Sequence, residues 1–277
     1  MSEELSCIDT HAHVQMAEFD DDRKDVLRRC RDSGVCSIIC PGVDIATSNL
    51  AEHLAQQETG VLAAIGVHPG DCAAASSDYL AQLRTLFTQY RGQTVAIGEI
   101  GLDFKQGTPD QTVQRRFFEE QLQLAVDLGL PVIVHSRFAV AESLNAISHF
   151  AGLRGVMHCF GGTPLEVEQA VTMGLCVSFT GNITYPGAQA TREALKVCPP
   201  ERLLLETDAP YMPPVPMRGK RNEPAFIGYT YRAAASLLDR DVYDLSRQIE
   251  DTARELFNLH ERREHAGEKD IHDHAQP

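Results

Sequence analysis

The segment Ile8-Asp9-Thr10-His11-Ala12-His13 ends a short apolar run near the start of the chain with two histidines that are one residue apart. Side chains alternate between the two faces of a β-strand, so the imidazoles of His11 and His13 point the same way. Imidazoles and carboxylates together suit a divalent metal in a hydrolytic site. This segment therefore predicts a strand whose carboxyl end delivers two metal ligands.

Apolar runs of the same kind recur along the chain, and four of them end in a further candidate ligand. These candidates are Glu99 in VAIGEIGLD, His135 in PVIVHSR, His158 in GVMHCF and Asp208 in LLLETDAP. We predict eight strands, near residues 5–12, 35–41, 61–67, 94–99, 131–135, 154–159, 174–180 and 202–207. Most are continuous Val, Ile, Leu and Ala runs, as expected of parallel strands that helices cover on both faces.

Charged amphipathic segments between the strands predict helices, among them residues 21–33, 46–59, 77–91 and 110–129. Two more helices, at about 226–238 and 241–258, would complete the domain. The sequences TPDQ and TPLE predict N-caps at Thr108 and Thr163. Glycines are expected where helices end, at Gly34, Gly60, Gly129 and Gly174. The pattern predicts the α/β class and a (β/α)8 TIM barrel, whose mouth would collect the candidate ligands.

Length and composition are consistent with one soluble enzyme domain. The chain has 277 residues, 43% of them hydrophobic and 23% charged. No apolar run approaches the roughly 20 residues of a membrane span, and the first residues lack the features of a signal peptide. We expect a cytoplasmic monomer without an obligate protein partner, built as a single barrel over residues 1–259. The polar stretch 260–277 is expected to be a disordered tail.

Charge and cysteine content limit the classes of function that the sequence supports. A net charge of −14 excludes broad, charge-driven adhesion to nucleic acid, but not an enzyme that grips one strand end. The cluster of Arg218, Lys220 and Arg221 is either a solvated loop or a local functional patch. The eight cysteines contain no C-x-x-C pair and are expected to be reduced and mostly buried. Cys159 has the opposite strand parity to His158, so it is not expected to be a ligand.

Seven motifs together resemble the TatD family of metal-dependent hydrolases, within the amidohydrolase-like barrels. They are IDTHAH, GVHPGD, AIGEIGLD, VIVHSR, MHCFGG, LLLETDAPYMPP and RNEPAFI, in this order. The resemblance covers residues 7–258 and implies two adjacent divalent metal ions, with Mg, Mn, Zn and Ni as the candidates.

The resemblance also implies how the ligands divide between the two ions. His11, His13, Glu99 and Asp208 would hold the first ion, while Glu99, His135 and His158 would hold the second, so that Glu99 bridges them. A water between the ions would become hydroxide near neutral pH. Asp208 is either a ligand alone or also the general base that accepts a proton from that water.

Five other residues are expected near the site. Glu206 shares the strand parity of Asp208 and would orient a ligand or recruit a third metal. His68 in GVHPGD is either a loop-packing residue or, as the resemblance implies, a catalytic contact to a substrate phosphate or oxyanion. Arg137, Arg221 and Asn222 are candidates for phosphate oxygens, with surface or structural salt bridges as the alternative.

Asp103, just past Glu99, either shapes a loop or joins the site.

For the whole protein, the leading hypothesis is a metal-dependent hydrolase of phosphodiester bonds, a 3′–5′ exonuclease that acts on DNA ends. The metal site is argued from the residues, whereas the nucleic-acid substrate is implied by the resemblance. The alternative is a hydrolase of another ester or amide, such as a small phosphoester, a lactone or an aminoacyl-tRNA. A third possibility is a non-catalytic binding protein that uses the barrel as a scaffold.

Overall fold

The structure is a computed structural model, and it describes residues 5–90 and 92–259. Within these residues, eight strands form one parallel sheet in which spatial neighbours follow chain order. The strands are β1 Cys7–Asp9, β2 Val35–Pro41, β3 Val61–Ile65, β4 Thr94–Asp103, β5 Val132–Arg137, β6 Gly155–Met157, β7 Cys176–Phe179 and β8 Leu203–Leu205. The predicted number and order of the strands are confirmed. The predicted tail at 260–277 lies outside the described residues.

The barrel closes where the segment after β1 meets the segment after β8. Asp208 N donates to the carbonyl oxygen of His11 at 2.9 Å, and His13 N donates to that of Ala209 at 2.8 Å. Ala12 and Ala209 form an isolated parallel bridge between the same two segments. We call the contact between residues 10–13 and 205–209 the seam. Because it lies beyond the carboxyl ends of β1 and β8, it brings three of the predicted ligands to the mouth.

Helices follow the strands around the outside of the barrel. They are α1 Arg23–Asp32, α2 Ile45–Gln57, α3 Tyr79–Gln89, α4 Gln111–Leu128, α5 Val140–Ile147, α6 Pro164–Thr172, α7 Gln189–Val197, α8 Ile227–Leu237 and α9 Val242–Leu256. The first seven lie between consecutive strands and the last two follow β8, which confirms the α/β barrel and the two additional helices. None of the helices in the described residues is long and apolar enough to cross a membrane.

One of the two predicted helix caps is wrong. Thr163 caps α6 in a full capping box with Glu166, as predicted. Thr108, however, donates to the carbonyl oxygens of Asp103 and Lys105, at 2.8 Å each. Asp110 caps α4 instead, because its side chain accepts from Thr112 N. Two capping residues lie close together in this loop, and the carbonyls at the end of β4 bind the first of them.

The last two helices hold the first strand in place. The hydroxyl of Tyr231 on α8 donates to the carbonyl oxygen of Ile8 at 3.0 Å and accepts from the Ile8 amide at 3.3 Å. Ser246 on α9 donates to the carbonyl oxygen of Ser6. Tyr231 is fully buried, so these bonds are shielded from water. The strand that precedes His11 and His13 is therefore held by α8 and α9.

The cysteines behave as small apolar residues. All eight are free, and six of them are buried. Cys36 is exposed, and Cys159 is half-buried. Burial raises the pKa of the Cys198 thiol to about 12, which keeps it protonated at neutral pH. The prediction of reduced and mostly buried thiols is confirmed.

Candidate metal centre

All six predicted ligands come together at the mouth of the barrel. Potential ligand atoms form three overlapping groups within which every atom lies less than 4.8 Å from the others. The groups are His11, His158 and Asp208; His11, His13 and Glu99; and His68, Glu99 and His135. Six strands, or the segments that directly follow them, supply these residues, so the tertiary fold builds the centre.

Glu99 joins the groups because its two carboxylate oxygens face in different directions. Its Oε2 lies 3.4 Å from His11 Nε2 and 3.6 Å from His13 Nε2. Its Oε1 lies 2.8 Å from both His135 Nδ1 and His158 Nε2. One carboxylate with one oxygen toward each ligand set is the arrangement that bridges two metal ions. The position of Glu99 is compatible with the division of ligands that the family resemblance implies, and that division stays a prediction.

The ligand set at the seam has the spacing of a four-coordinate metal site. His11 Nε2 and His13 Nε2 are 3.1 Å apart, and Asp208 Oδ1 lies 3.8 Å from the first and 3.7 Å from the second. Tetrahedral zinc with nitrogen and oxygen ligands at about 2.1 Å requires ligand separations of roughly 3.4 Å. The observed separations, including those to Glu99 Oε2, scatter around that value. These residues fit a metal ion without rearrangement.

Three of the ligand histidines hydrogen-bond an acceptor through the ring nitrogen that points away from the centre. The acceptors are Pro41 O for His13 Nδ1 at 3.0 Å, Glu206 Oε1 for His158 Nδ1 at 3.1 Å, and Asp103 Oδ2 for His135 Nε2 at 3.2 Å. A carbonyl oxygen can only accept, so the hydrogen of the His13 ring lies on Nδ1 and its Nε2 is bare. His135 and His158 face a carboxylate oxygen with both ring nitrogens. With a hydrogen on the outer nitrogen of each ring, the inner nitrogens could ligate a metal ion.

The pKa shifts show a need for positive charge. Burial opposes protonation of His158, yet the charges of Glu99 and Glu206 raise its pKa well above the usual value. Burial likewise opposes ionisation of Glu99, yet His158 and His11 hold its pKa well below the usual value. Burial raises the pKa of Asp208 to about 6. The buried centre thus favours bound cations, and a metal ion can take the place of the protons on the histidines.

Glu99 does not end its strand, contrary to the prediction. β4 continues to Asp103, and its register with β5 shifts between Ile97 and Ile100. Glycines on either side of Glu99 allow the close packing. A Cβ on Gly98 would lie 2.6 Å from Ile133 Cβ, and a Cβ on Gly101, whose φ is +141°, would lie 2.0 Å from the carbonyl oxygen of His135. The GEIGLD motif therefore places Glu99 in the middle of the centre and not at its rim.

His68 presents a hydrogen to the centre and not a lone pair. Gly70 N donates to His68 Nδ1 at 2.9 Å, so Nδ1 is bare and the hydrogen of the neutral ring lies on Nε2. His68 Nε2 lies 3.7 Å from Glu99 Oε1. Burial lowers the pKa of His68 to about 4, which keeps the ring neutral. Although His68 lies close enough to ligate a metal, its hydrogen bonds make it a donor.

Glu206 supports the ligands from beneath. Its Oε1 accepts from His158 Nδ1 and from Cys159 N, the latter at 2.6 Å. Its side chain is buried, and it also hydrogen-bonds Ser178. Glu206 thus fixes the ring of His158, which is the orienting role among the alternatives. Cys159 lies outside the three ligand groups found among the described residues.

A second supporting carboxylate, Asp9, was missed by the sequence analysis. Its Oδ1 accepts from Thr207 N at 2.9 Å and from His11 N at 3.3 Å, while its Oδ2 accepts from the Thr207 hydroxyl at 2.5 Å. Asp9 thus ties the two sides of the seam together below the ligands. The signal was present, because Asp9 has the same strand parity as His11, just as Glu206 has that of Asp208.

The three predicted phosphate contacts differ in their surroundings. Arg221 donates to Asp22 Oδ2 at 2.7 Å and to the carbonyl oxygen of Glu18, and its guanidinium lies 4.5 Å from the centre of the Phe19 ring. This is the salt-bridge alternative. Arg137 is exposed at the end of β5, with its guanidinium 5.8 Å from the Phe138 ring centre.

The third predicted contact, Asn222, is fully buried. Its amide nitrogen donates to the carbonyl oxygens of Thr207 and Tyr211, at 2.9 and 2.6 Å, and its oxygen accepts from Glu223 N. Both amide hydrogens are therefore used inside the protein. Asn222 braces the loop on either side of Asp208, a role that differs from the predicted contact to phosphate.

Sequence and structure comparisons identify the family of this chain. The family described as TatD related DNase matches residues 8–258. The metal-dependent hydrolase YabD of Bacillus subtilis is 32% identical over 91% of this chain and 98% of its own length. The 3′–5′ ssDNA/RNA exonuclease TatD of Pantoea vagans is 36% identical over 91% and 99% of the two chains.

Among solved structures, YjjV, a TatD homologue from Escherichia coli K12, superposes with a TM-score of 0.87 at 32% identity and covers 91% of this chain and 98% of its own. A TatD family hydrolase from Entamoeba histolytica shares the fold, with a TM-score of 0.83 at 22% identity over 92% and 99% of the two chains. The matches span nearly the whole barrel, and the family match over residues 8–258 covers the positions of all six predicted ligands. The chain belongs to the family of TatD-related DNases.

Proposed function

We propose that this protein is a divalent-metal-dependent 3′–5′ exonuclease that removes nucleotides from single-stranded DNA. The observation that carries the proposal is Glu99, whose Oε2 faces the histidines of the seam while its Oε1 faces His135 and His158. A bridged pair of divalent ions is a recurring arrangement in nucleases and phosphatases. The activity of the Pantoea vagans relative supports the choice of a single strand and of its 3′ end.

The residues of the centre have separate tasks in this reaction. When bound, the metal ions lower the pKa of water and neutralise charge on the scissile phosphate. Asp208, whose Oδ1 lies within 3.8 Å of both seam histidines, is placed to accept the proton of the attacking water. His68 Nε2 carries its hydrogen on the open side of the centre, where it can donate to a phosphate oxygen.

The charge of the protein agrees with trimming at an end. A net charge of −14 does not support extended contact with a nucleic-acid backbone. Arg137 lies two residues after His135 at the barrel mouth, so it can bind one phosphate next to the scissile bond. One strand end held by metals, His68 and Arg137 requires no basic groove.

The test is a digestion of 5′-labelled single-stranded DNA and RNA by purified protein. The protein is first stripped with a chelator and then reloaded separately with Mg²⁺, Mn²⁺, Zn²⁺ or Ni²⁺. We expect a ladder of products that shorten one nucleotide at a time from the 3′ end with at least one metal. The stripped protein and the Glu99→Ala variant should leave the strand intact.

Activity that is equal in the wild type and Glu99→Ala would contradict the proposal, as would release of the 5′ label as a mononucleotide. Absence of DNA cleavage with all four metals, combined with hydrolysis of a lactone, a small phosphoester or an aminoacyl-tRNA, would instead support the other hydrolase classes. His149→Ala is the matched control, because His149 is an exposed histidine after α5 that belongs to none of the ligand groups in the described chain.

A further inference from the structure

Two exposed aromatic side chains follow metal-ligand candidates at the same spacing. Phe138 follows His135 by three residues, and Tyr211 follows Asp208 by three residues. We propose that Phe138 and Tyr211 stack on unpaired nucleobases at the end of the substrate strand. This inference rests on the proposed exonuclease function and adds a base-binding site to it. The strands that precede the two residues, β5 and β8, are three positions apart around the barrel, so the two residues lie at well-separated places around the mouth.

Folding gives no reason for the position of Phe138. Its side chain is 75% exposed, the largest exposed fraction among the large apolar residues described. Its φ of +54° lies in the left-handed region, which is unfavourable for a bulky residue. Glycine or asparagine would be less strained here, and a polar side chain would be better hydrated. A phenylalanine that is both strained and exposed three residues after a ligand indicates a binding role.

Tyr211 is held firmly but leaves half of its side chain in solvent. Its backbone nitrogen donates to the Asp208 carbonyl at 2.8 Å, and its carbonyl accepts from Asn222 at 2.6 Å. Its ring centre lies 6.4 Å from that of His13, and 51% of the residue is exposed. The backbone of Tyr211 is therefore held beside the seam ligands, while half of the residue is open to solvent. An aromatic ring positioned in advance loses little conformational entropy when a base stacks on it.

An arginine belongs to the same loop region as each of the two aromatic residues. Arg137 lies over Phe138, and Arg218 belongs to the same loop as Tyr211, with its guanidinium 4.2 Å from the Tyr185 ring centre. Neither arginine forms a salt bridge with another described residue. Aromatic rings that alternate with cations are how proteins bind single strands, since every base has a face that can stack. The loops of the mouth create this alternation, although it is not visible in the sequence.

Stacking on both sides of the centre has a consequence for the substrate class. Bases inside a duplex are already stacked and paired, so they are not available to Phe138 or Tyr211 until the end frays. The preferred substrate is therefore a strand whose terminal bases are unpaired. A strand with the same phosphates but no bases at its end should bind as if both rings were absent.

The test compares two strands that differ only in their terminal bases. Both carry a 5′ fluorophore and hydrolysis-resistant phosphorothioate linkages at the 3′ end, and one lacks the last three bases. Binding to the metal-loaded protein is measured by fluorescence anisotropy. We expect the complete strand to bind roughly ten- to a hundredfold more tightly than the abasic strand, as stacking of one or two bases implies. Phe138→Ala and Tyr211→Ala should each weaken binding of the complete strand only.

A spectroscopic signal separates stacking from general structural damage. A 3′-terminal 2-aminopurine should be quenched on binding to the wild type and to Phe138→Tyr, while Phe138→Ala should relieve the quenching. Val126→Ala is the control, because Val126 is exposed near the carboxyl end of α4, at the opposite end of the barrel.

Equal losses of affinity for both strands, or unchanged affinity in both alanine variants, would overturn the stacking site. Either result would leave metal-dependent cleavage intact. Failure of the proposed function would instead appear as absence of cleavage of an unmodified strand by the wild type.

Discussion

The two sides of the metal centre differ in their access to solvent. On the seam side, the side chains of His11 and His13 are 0% and 3% exposed, whereas on the side of β3 and β5 those of His68 and His135 are 19% and 17% exposed. Both sides belong to one cluster and share Glu99. We infer from this difference that substrate approaches the centre from the open side, while the ligands of the seam are shielded from solvent.

The hydrogen bonds that hold the side chains in place also differ between the two sides, and they are more extensive at the buried seam. The seam is tied by backbone hydrogen bonds between residues 10–13 and 205–209 and by Asp9, which accepts from both segments. On the open side, the Nδ1 of His68 is held by the Gly70 amide of its own loop. Rigid, buried supports suit a ligand that must keep its geometry. A side chain on a loop at the open side can adjust to a substrate.

Removal of the seam histidines is the most direct test of the difference between the two sides. The double variant His11→Ala/His13→Ala should lose bound metal, measured by mass spectrometry of the desalted protein. Its hydrolysis rate should fall about 10³-fold, because the transition state loses several kcal/mol of stabilisation by the metal. Circular dichroism establishes that the barrel is folded, and His13→Asn serves as a milder variant. Normal metal content in both variants would show that the seam does not hold the ion.

Removal of His68 should affect the rate without affecting the metal. In His68→Ala we expect unchanged metal content and a rate about 10²-fold lower, the usual cost of a lost donor to a developing oxyanion. Metal content and rate are measured on the same preparation. If the variant instead loses one equivalent of metal, His68 is a ligand and the assignment of its hydrogen to Nε2 is wrong.

Glu206→Gln tests the hydrogen bond that orients the ring of His158. Glutamine keeps the size of the side chain but removes the charge that holds the ring hydrogen of His158. We expect metal affinity to fall about 10- to 100-fold, the usual effect of changing an outer partner of a metal ligand. When metal is titrated into the variant and its activity is measured, the hydrolysis rate should be restored at high metal concentration. Glu201→Gln, at an exposed position before β8, is the matched control.

Asn222→Ala should lower stability more than any exposed asparagine does. The variant leaves the buried carbonyl oxygen of Thr207 and the partly buried carbonyl oxygen of Tyr211 without their amide donor. The expected loss is about 1–3 kcal/mol in the free energy of unfolding, measured with denaturant. Asn145→Ala on the exposed face of α5 should change it by far less. A neutral Asn222→Ala combined with a raised KM for DNA would favour the original expectation of a phosphate contact.

The smallest effect is expected for Arg221→Ala. Its ion pair with Asp22 joins two partly exposed side chains, and such pairs contribute less than about 1 kcal/mol. The KM for single-stranded DNA should remain within twofold of the wild type. Arg137→Ala, measured in parallel, should raise KM because that cation lies at the open side. Equal increases in both variants would restore Arg221 as a phosphate-binding residue.

Strand parity explains why so much of the centre could be predicted. Parallel strands of one barrel end at the same mouth, so His11, His135 and Asp208 had to meet there if the fold was correct. Parity also placed Glu206 beneath Asp208. The same rule would have found Asp9, whose hydrogen bonds to Thr207 join the two ends of the barrel.

The contacts that could not be predicted depend on loops far apart in sequence. Arg221 meets Asp22, 199 residues away, and nothing local to the RGKRNEP segment signals that partner. The two hydrogens of Asn222 are taken by carbonyls whose positions are known only once the loop is folded. The position of Glu99 within β4 follows from the register shift beside Gly98, which hydrophobic periodicity does not show.

The hydrogen bonds from α8 and α9 to the first strand join parts of the chain that are synthesised at different times. β1, which precedes His11 and His13, is synthesised well before Tyr231 and Ser246, which hold it. Contacts between distant parts of a chain form slowly, because the loop between them must close first. We therefore expect the segment that bears His11 and His13 to lack its full support until α9 has emerged.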